Sequence, residues 1–137
     1  MWTCPNCERP FRKPKQWHIC GEKTIDEIFA RTTDEVVLAF DDLLVATAEW
    51  EPNLVTPARN AVMFTNKRTW AVVRPMKSLL DISFFTDAPM TGEFIHKSGP
   101  DSMGKKKFRH QIRLAGPGEL DDRMLGALRE GWAYANR

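Results

Sequence analysis

Hydrophobic positions between residues 24 and 49 recur every three or four residues, which is the spacing of one face of an α-helix. A first short helix is predicted over residues 24–30, with Thr24 as its N-cap. A second begins at a Thr-Thr-Asp-Glu stretch that matches a capping box, with Thr32 as the cap and Glu35 three positions later. We expect this helix to end near Glu49, because Pro52 cannot continue it.

Apolar and polar residues alternate in the middle of the chain, as they do in antiparallel strands with one buried face. Residues 87–106 are rich in glycine and proline and predict a long excursion, with one short element around residues 94–96. Helical spacing then returns and predicts a final helix from residue 117 or 118 to Ala135. The predicted strands cover residues 60–65, 69–74, 79–86 and 108–114.

This order of elements predicts an α+β fold, in which an antiparallel sheet of about five strands is covered by N- and C-terminal helices. We place the α+β domain at residues 23–137 and a separate small module at residues 1–22. A chain of 137 residues with 42% hydrophobic side chains is large enough for one such domain with its own core.

The sequence also excludes some classes of protein. No apolar run approaches the roughly 20 residues that a transmembrane helix needs, so we expect no membrane association. The first residues lack the basic and apolar regions of a secretory signal, so we expect a cytoplasmic protein whose thiols stay reduced and can bind metal. The oligomeric state stays open.

Charge is distributed in blocks of opposite sign beneath a net charge of only +2. Residues 24–57 hold eight acidic residues against Arg31 alone, whereas residues 95–113 hold six basic residues against Asp101. Such blocks are typical of a bipolar surface that attracts charged partners. Each block is equally what the solvated face of one element would carry.

All three cysteines of the chain lie within its first 20 residues. Cys4 and Cys7 have the two-residue spacing at which a tight turn directs two thiolates at one ion, and His18 and Cys20 complete a Cys3His set. Four such ligands favour one closed, structural Zn²⁺ per chain, because a catalytic zinc keeps a position open for water. We therefore predict a zinc-knuckle module at residues 1–22. The other interpretation is three unrelated thiols and a surface histidine.

These ligands and several later segments resemble a bacterial family catalogued as domain of unknown function 5655. The similarity continues through AVMFTNKRTWAVVRP, LLDISFF, FRHQIRL and GELDDRMLGALREGWAYA. The resemblance implies a compact α+β domain, similar to small bacterial YdhG-like proteins, and no particular activity or substrate. Family members often carry two adjacent histidines where this chain has Arg109-His110, so the resemblance does not extend to chemistry by a histidine pair. The longer members open with a tryptophan, CPxC, an Arg-x-Phe step and an HxC pair, which here are Trp2, Cys4, Cys7, Arg9, Phe11, His18 and Cys20.

Basic side chains, a tryptophan and a histidine are the remaining candidates for contacts with a partner. A basic run could neutralise phosphates, and Trp70 could stack on a base. His110 lies in the apolar register of its strand, where a histidine is more often a hydrogen-bonded core residue than a catalyst. The candidate contact residues are Trp70, Arg74, Lys105, Lys106, Lys107, Arg109, His110 and Arg113.

The hypothesis that these features favour is a non-enzymatic bacterial module, in which a zinc-binding segment precedes an α+β domain and the protein binds a macromolecular partner. That partner would be a nucleic acid or an acidic protein. A first alternative is an enzyme or small-ligand binder with a pocket beside His110, Arg113, Arg74 and Trp70. A second alternative is a purely structural zinc, with no binding role for the module that holds it.

Overall fold

The computed structural model describes residues 1–3, 5, 10–15, 24–58, 60–101 and 107–137. Near the N-terminus, β1 (Trp2–Thr3) and β2 (Pro10–Phe11) form a two-stranded antiparallel ribbon. The remaining described elements form the α+β domain. Some of the candidate site residues predicted from the sequence lie outside the residues that the structure describes. They are Cys4, Cys7, His18, Cys20, Lys105 and Lys106.

An antiparallel sheet of six strands forms the centre of the domain, in the order β3-β4-β5-β6-β8-β7. The expected number of about five is therefore too low. The sequence did not predict β3, a short and partly exposed edge strand. It predicted a short element around residues 94–96, whereas the strand in this region, β7, begins at Lys97. The six strands are β3 (Leu54–Pro57), β4 (Val62–Thr65), β5 (Thr69–Pro75), β6 (Leu80–Thr86), β7 (Lys97–Pro100) and β8 (Phe108–Leu114).

Three helices accompany the sheet: α1 (Ile25–Ile28), α2 (Asp34–Thr47) and α3 (Asp122–Ala135). α1 begins as predicted, because the Thr24 hydroxyl accepts a hydrogen bond from the Glu27 N–H at 3.2 Å. Within the described residues, no helix combines the length and hydrophobicity that a membrane span requires.

The starts of the two long helices differ from the prediction. α2 has Thr33 as its N-cap, and the expected capping box does not form, because the Thr32 hydroxyl donates to the carbonyl oxygen of Phe29 at 2.9 Å. α3 begins after a turn in which Gly118 has a φ of +81°. Its N-cap is Asp121, whose carboxylate accepts from the Met124 N–H at 3.0 Å. Both corrections concern local hydrogen bonds that helical periodicity does not encode.

Alternation along the strands gives the sheet two faces, and both long helices pack on the same one, which we call the core face. The Phe40 ring of α2 meets the Phe64 ring edge-on at 6.2 Å, and Gly131 of α3 lies directly against Phe84. The buried residues that the strands place on this face are Val62, Phe64, Trp70, Ala71, Val73, Leu80, Ile82, Phe84, Thr86, His110, Ile112 and Leu114.

The opposite side of the sheet, which we call the open face, carries the other register of the same strands. Neither α2 nor α3 packs on it, because both are engaged with the core face. In an antiparallel sheet whose helices pack on one side, the register that faces away from them is usually polar. The residues on the open face therefore decide what the domain presents to a partner.

Candidate binding face of the sheet

Strand pairing collects basic side chains on the open face from β5, β7 and β8. Arg74 pairs with Asp81 and Asp81 with Arg113, so these three side chains form one row across the sheet. A second row contains Ser83, Gln111 and Lys97, and a third contains Phe85 and Arg109. Lys107 continues the outward register of β8. The basic residues of this face are Arg74, Lys97, Lys107, Arg109 and Arg113.

The Arg113 side chain partly covers a carboxylate on this face. Its Nε lies 3.3 Å from Oδ1 of Asp81, and the Asp81 side chain is only 5% exposed. A carboxylate that is buried in this way needs a cation as partner. Arg113 therefore has its charge balanced locally, whereas the exposed Arg74 has no carboxylate within salt-bridge distance among the described residues.

Arg109 is oriented by a neutral partner. Its Nε and Nη2 donate to the Ser83 hydroxyl oxygen at 3.2 and 3.0 Å, and Ser83 is 2% exposed beneath the guanidinium group. A hydroxyl does not neutralise a guanidinium, and three of the five N–H groups of Arg109 stay free of this contact. The side chain is thus held in place while its charge stays available to an anion.

Lys107 completes the basic series on β8. Its Nζ lies 4.5 Å from the centre of the Phe85 ring and 3.6 Å from Oδ2 of Asp101. The first contact is a cation–π interaction, and the second is a partly exposed ion pair that contributes little to stability. Among the residues that the structure describes, the open face with its rim carries five basic and two acidic side chains, so positive charge prevails there.

A cleft of about 300 Å³ lies beside Arg109, over the paired strands β7 and β8. Gly99 is the register partner of Arg109, and nothing lies within 4 Å of where a Cβ on Gly99 would be. The missing side chain on β7 thus leaves room next to the guanidinium group. The cleft is lined by Lys97, Gly99, Pro100, Asp101, Arg109 and Gln111.

His110 lies on the core face and is fully buried. The Thr86 hydroxyl donates to the Ala88 carbonyl, so at 2.7 Å it accepts from Nε2–H of His110. Nδ1 in turn accepts from the Ser98 hydroxyl at 2.8 Å. Both ring nitrogens of the neutral tautomer are therefore satisfied. Burial lowers the pKa of His110 below its ordinary value.

Trp70 also lies in the core. Phe64 pairs with Ala71 but Thr65 pairs with Thr69, so Trp70 is the extra residue of a β-bulge. Its ring meets the Phe64 ring edge-on at 5.6 Å, and it has no exposed surface. Its Nε1–H donates to Oδ1 of Asn53 at 2.9 Å. In this conformation the ring offers no face for a base to stack on.

The candidate residues from the sequence are thus divided between two faces. Arg74, Lys107, Arg109 and Arg113 share the open face, whereas Trp70 and His110 lie on the core face. His110 and the two arginines, Arg74 and Arg113, lie on opposite faces of the sheet and therefore do not line one pocket together. A cleft of about 310 Å³ near α3 includes Thr86 in its lining but not His110.

Several contributors to the open face were not singled out by the sequence. Ser83, Lys97, Gly99 and Gln111 gain their roles only because β6, β8 and β7 are neighbours. The alternation within residues 79–86 did place Ser83 and Phe85 on one side, which was the available signal. Among the residues that the structure describes, no group of three or more His, Cys, Asp or Glu side chains is placed to hold a metal ion.

Comparison with known protein families matches residues 25–135 to the family described as Domain of unknown function (DUF5655). Searches of curated proteins and of solved structures give no significant match. The matched region extends from the first residue of α1 to the last residue of α3 and so includes the whole sheet. The chain therefore belongs to the domain of unknown function 5655 family.

Proposed function

We propose that this protein is a non-enzymatic, zinc-containing binding module and that the open face of its sheet holds an anionic macromolecule. The observation that carries the proposal is Arg109, whose guanidinium is oriented by the Ser83 hydroxyl and not by a carboxylate. An arginine fixed in this way is ready to donate to an oxyanion without first leaving an acidic partner.

The arrangement of the other cations supports the same proposal. Adjacent strands lie about 4.8 Å apart, so Arg74 and Arg113, two strands apart in one row, have backbones about 10 Å apart. The Debye length is about 8 Å at physiological ionic strength, so each cation acts mainly on a charge placed directly beside it. A polyanion, which carries charges along its length, can contact several of these cations at once.

Charge removal on the open face tests this proposal. Arg74→Gln with Lys97→Gln removes two exposed cations without breaking a salt bridge among the described residues. We expect the slope of log affinity against log salt, for heparin or polyphosphate, to fall in magnitude by about 1.4 to 1.8. The matched control, Arg31→Gln with Lys67→Gln, removes two exposed cations elsewhere and should leave affinity and slope nearly unchanged. Equal effects of the two pairs, or affinity that is independent of salt, would contradict the proposal.

The zinc site of the proposal is supported by the donor set. Three cysteines and one histidine match the thiolate and imidazole ligands of closed tetrahedral zinc sites. The ribbon adds a further observation: Thr3 of β1 pairs with Pro10 of β2, and Cys4 and Cys7 lie between these two paired residues in the sequence. Zinc would stabilise a segment that is too short for a hydrophobic core of its own.

Elemental analysis of the purified chain tests the zinc site, with one zinc per chain expected. Cys7→Ser and His18→Ala should each lower the zinc content and unfold residues 1–22. His96→Ala is the matched control, because His96 is an exposed histidine outside the donor set. Zinc content that stays at one per chain in both ligand variants, or a fold of residues 1–22 that survives excess chelator, would refute the site.

A further inference from the structure

The cleft beside Arg109 is lined by side chains that can donate to an oxyanion. Arg109 and Gln111 of β8 and Lys97 of β7 line it from two strands, so a guanidinium, an amide and an ammonium group belong to its lining residues. The one acidic residue in the lining, Asp101, lies 3.6 Å from Lys107 Nζ, which offsets its charge. A phosphate can accept a bidentate contact from an arginine and still has oxygens for further donors.

The spacing of side chains along β8 extends this site to a chain of phosphates. Every second residue of β8 points outward, and so does Lys107, which directly precedes the strand. The outward residues are Lys107, Arg109, Gln111 and Arg113. Alternate residues of a strand are about 6.8 Å apart, so these four side chains form a regular row, in which Lys107 and Arg113 also contact Asp101 and Asp81. Successive phosphates of an extended single strand have a comparable spacing. Phe85, partly exposed on the same face, adds an apolar ring next to that row, with Lys107 Nζ over one side of the ring.

The same geometry disfavours a double helix. Reading a duplex by its bases requires an α-helix or a two-stranded ribbon that enters the major groove, about 12 Å wide. The open face presents the surface of a sheet, and α2 and α3 lie behind it. A sheet surface with basic and aromatic side chains is instead suited to an extended, unpaired strand.

We infer that the anionic partner is a single-stranded nucleic acid, which lies along β8 and places one phosphate in the cleft beside Arg109. This inference rests on the proposed function of the open face and names the class of its ligand. Arg109 donates to the phosphate, Lys97 and Gln111 complete the donors, and Ser83 is a positioning residue that acts through Arg109.

Fluorescence anisotropy of the full, zinc-loaded chain tests the inference. The probes are a labelled oligothymidine and an oligouridine of about 15 nucleotides, a duplex of equal length and a polyglutamate of equal charge. We expect either single strand to bind at least about 10-fold more tightly than the duplex and the polyglutamate at moderate salt. A single strand that binds no better than polyglutamate overturns the inference but leaves the proposed function standing. Absence of binding to every polyanion at low salt overturns both.

Variants then locate the site. Arg109→Gln should lower single-strand affinity about 10-fold and reduce the magnitude of the salt slope by about 0.7. Gly99→Leu keeps every charge but fills the cleft, so it should weaken binding while the salt slope changes little. Arg31→Gln, a matched charge change away from this face, should have no effect, and circular dichroism verifies the fold of each variant. Single-strand affinity that is unchanged in both Arg109→Gln and Gly99→Leu overturns the site.

The role of Ser83 has its own readout. Ser83→Ala removes the hydroxyl that holds the guanidinium, so it should weaken binding in the wild-type background. In the Arg109→Gln background it should have no further effect, because its contribution passes through that arginine. Additive effects of the two substitutions would overturn the positioning role.

Discussion

The seating of α3 on the sheet depends on a glycine, and this dependence can be measured. α3 contains two glycines, Gly126 and Gly131, and glycine weakens a helix interior at either position. Gly126 is exposed, and nothing lies within 4 Å of where its Cβ would be. At Gly131 the Cβ would lie 3.1 Å from Cδ2 of Phe84 and 3.3 Å from the carbonyl oxygen of Phe85. The two Gly→Ala substitutions therefore differ in their contacts and not in their helix propensity.

The magnitudes follow from these two effects. Alanine stabilises a helix interior by about 0.8 to 1 kcal/mol relative to glycine, and this gain applies at both positions. At Gly131 the new methyl group meets a fully buried ring and a strand backbone, and such overpacking costs about 1 to 3 kcal/mol. We expect Gly126→Ala to stabilise the protein by about 1 kcal/mol. Gly131→Ala should be less stable than Gly126→Ala by about 1 to 3 kcal/mol.

Urea denaturation of the zinc-loaded chain, followed by circular dichroism and tryptophan fluorescence, gives the free energy of unfolding of each variant. Gly131→Ala should also leave polyanion binding unchanged, because Gly131 contacts the core face. If Gly131→Ala raised the unfolding free energy as much as Gly126→Ala does, the close approach of α3 to β6 would be refuted.

The remaining predictions concern the buried polar residues. Burial lowers the pKa of His110 below 6.5, so at lower pH the unfolded chain binds a proton that the native chain does not. The contribution of neutral His110 to stability is therefore full above pH 6.5 and is lost as the pH falls through the native pKa. Urea midpoints measured between pH 7.5 and 5.5 should show this decline in stability. His110→Gln should make the decline smaller, whereas His96→Gln, the exposed control, should leave it unchanged. An equal decline in both variants would refute this role of His110. Asn66→Ala removes the 2.9 Å hydrogen bond from Nδ2 to the buried Trp132 carbonyl and should destabilise the protein by about 1 to 3 kcal/mol. Lys67→Ala, at the neighbouring exposed position, should change the unfolding free energy by less than about 0.5 kcal/mol, and equal losses in both would contradict this reasoning.

Local patterns in the sequence were sufficient for most of the elements. The helix cap at Thr24, the strands near residues 69–74 and 108–114 and the alternation that buries His110 were all predicted and are confirmed. The misses were of two kinds. The capping box at Thr32 failed because a neighbouring carbonyl competed for its hydroxyl, and β3 was missed because an edge strand buries too little surface to alternate clearly.

What the sequence by itself determined is which side of its own strand or helix each residue occupies, because backbone geometry sets those periods within a few residues. It thereby defined the α+β class and the division of β8 into a basic and an apolar side. Only the tertiary structure decided that β8 lies between β6 and β7, which places Ser83 under Arg109 and Gly99 beside it. It also decided that a bulge turns Trp70 into the core. Strand order depends on contacts between residues far apart in the chain, and no local period encodes which of them will pair.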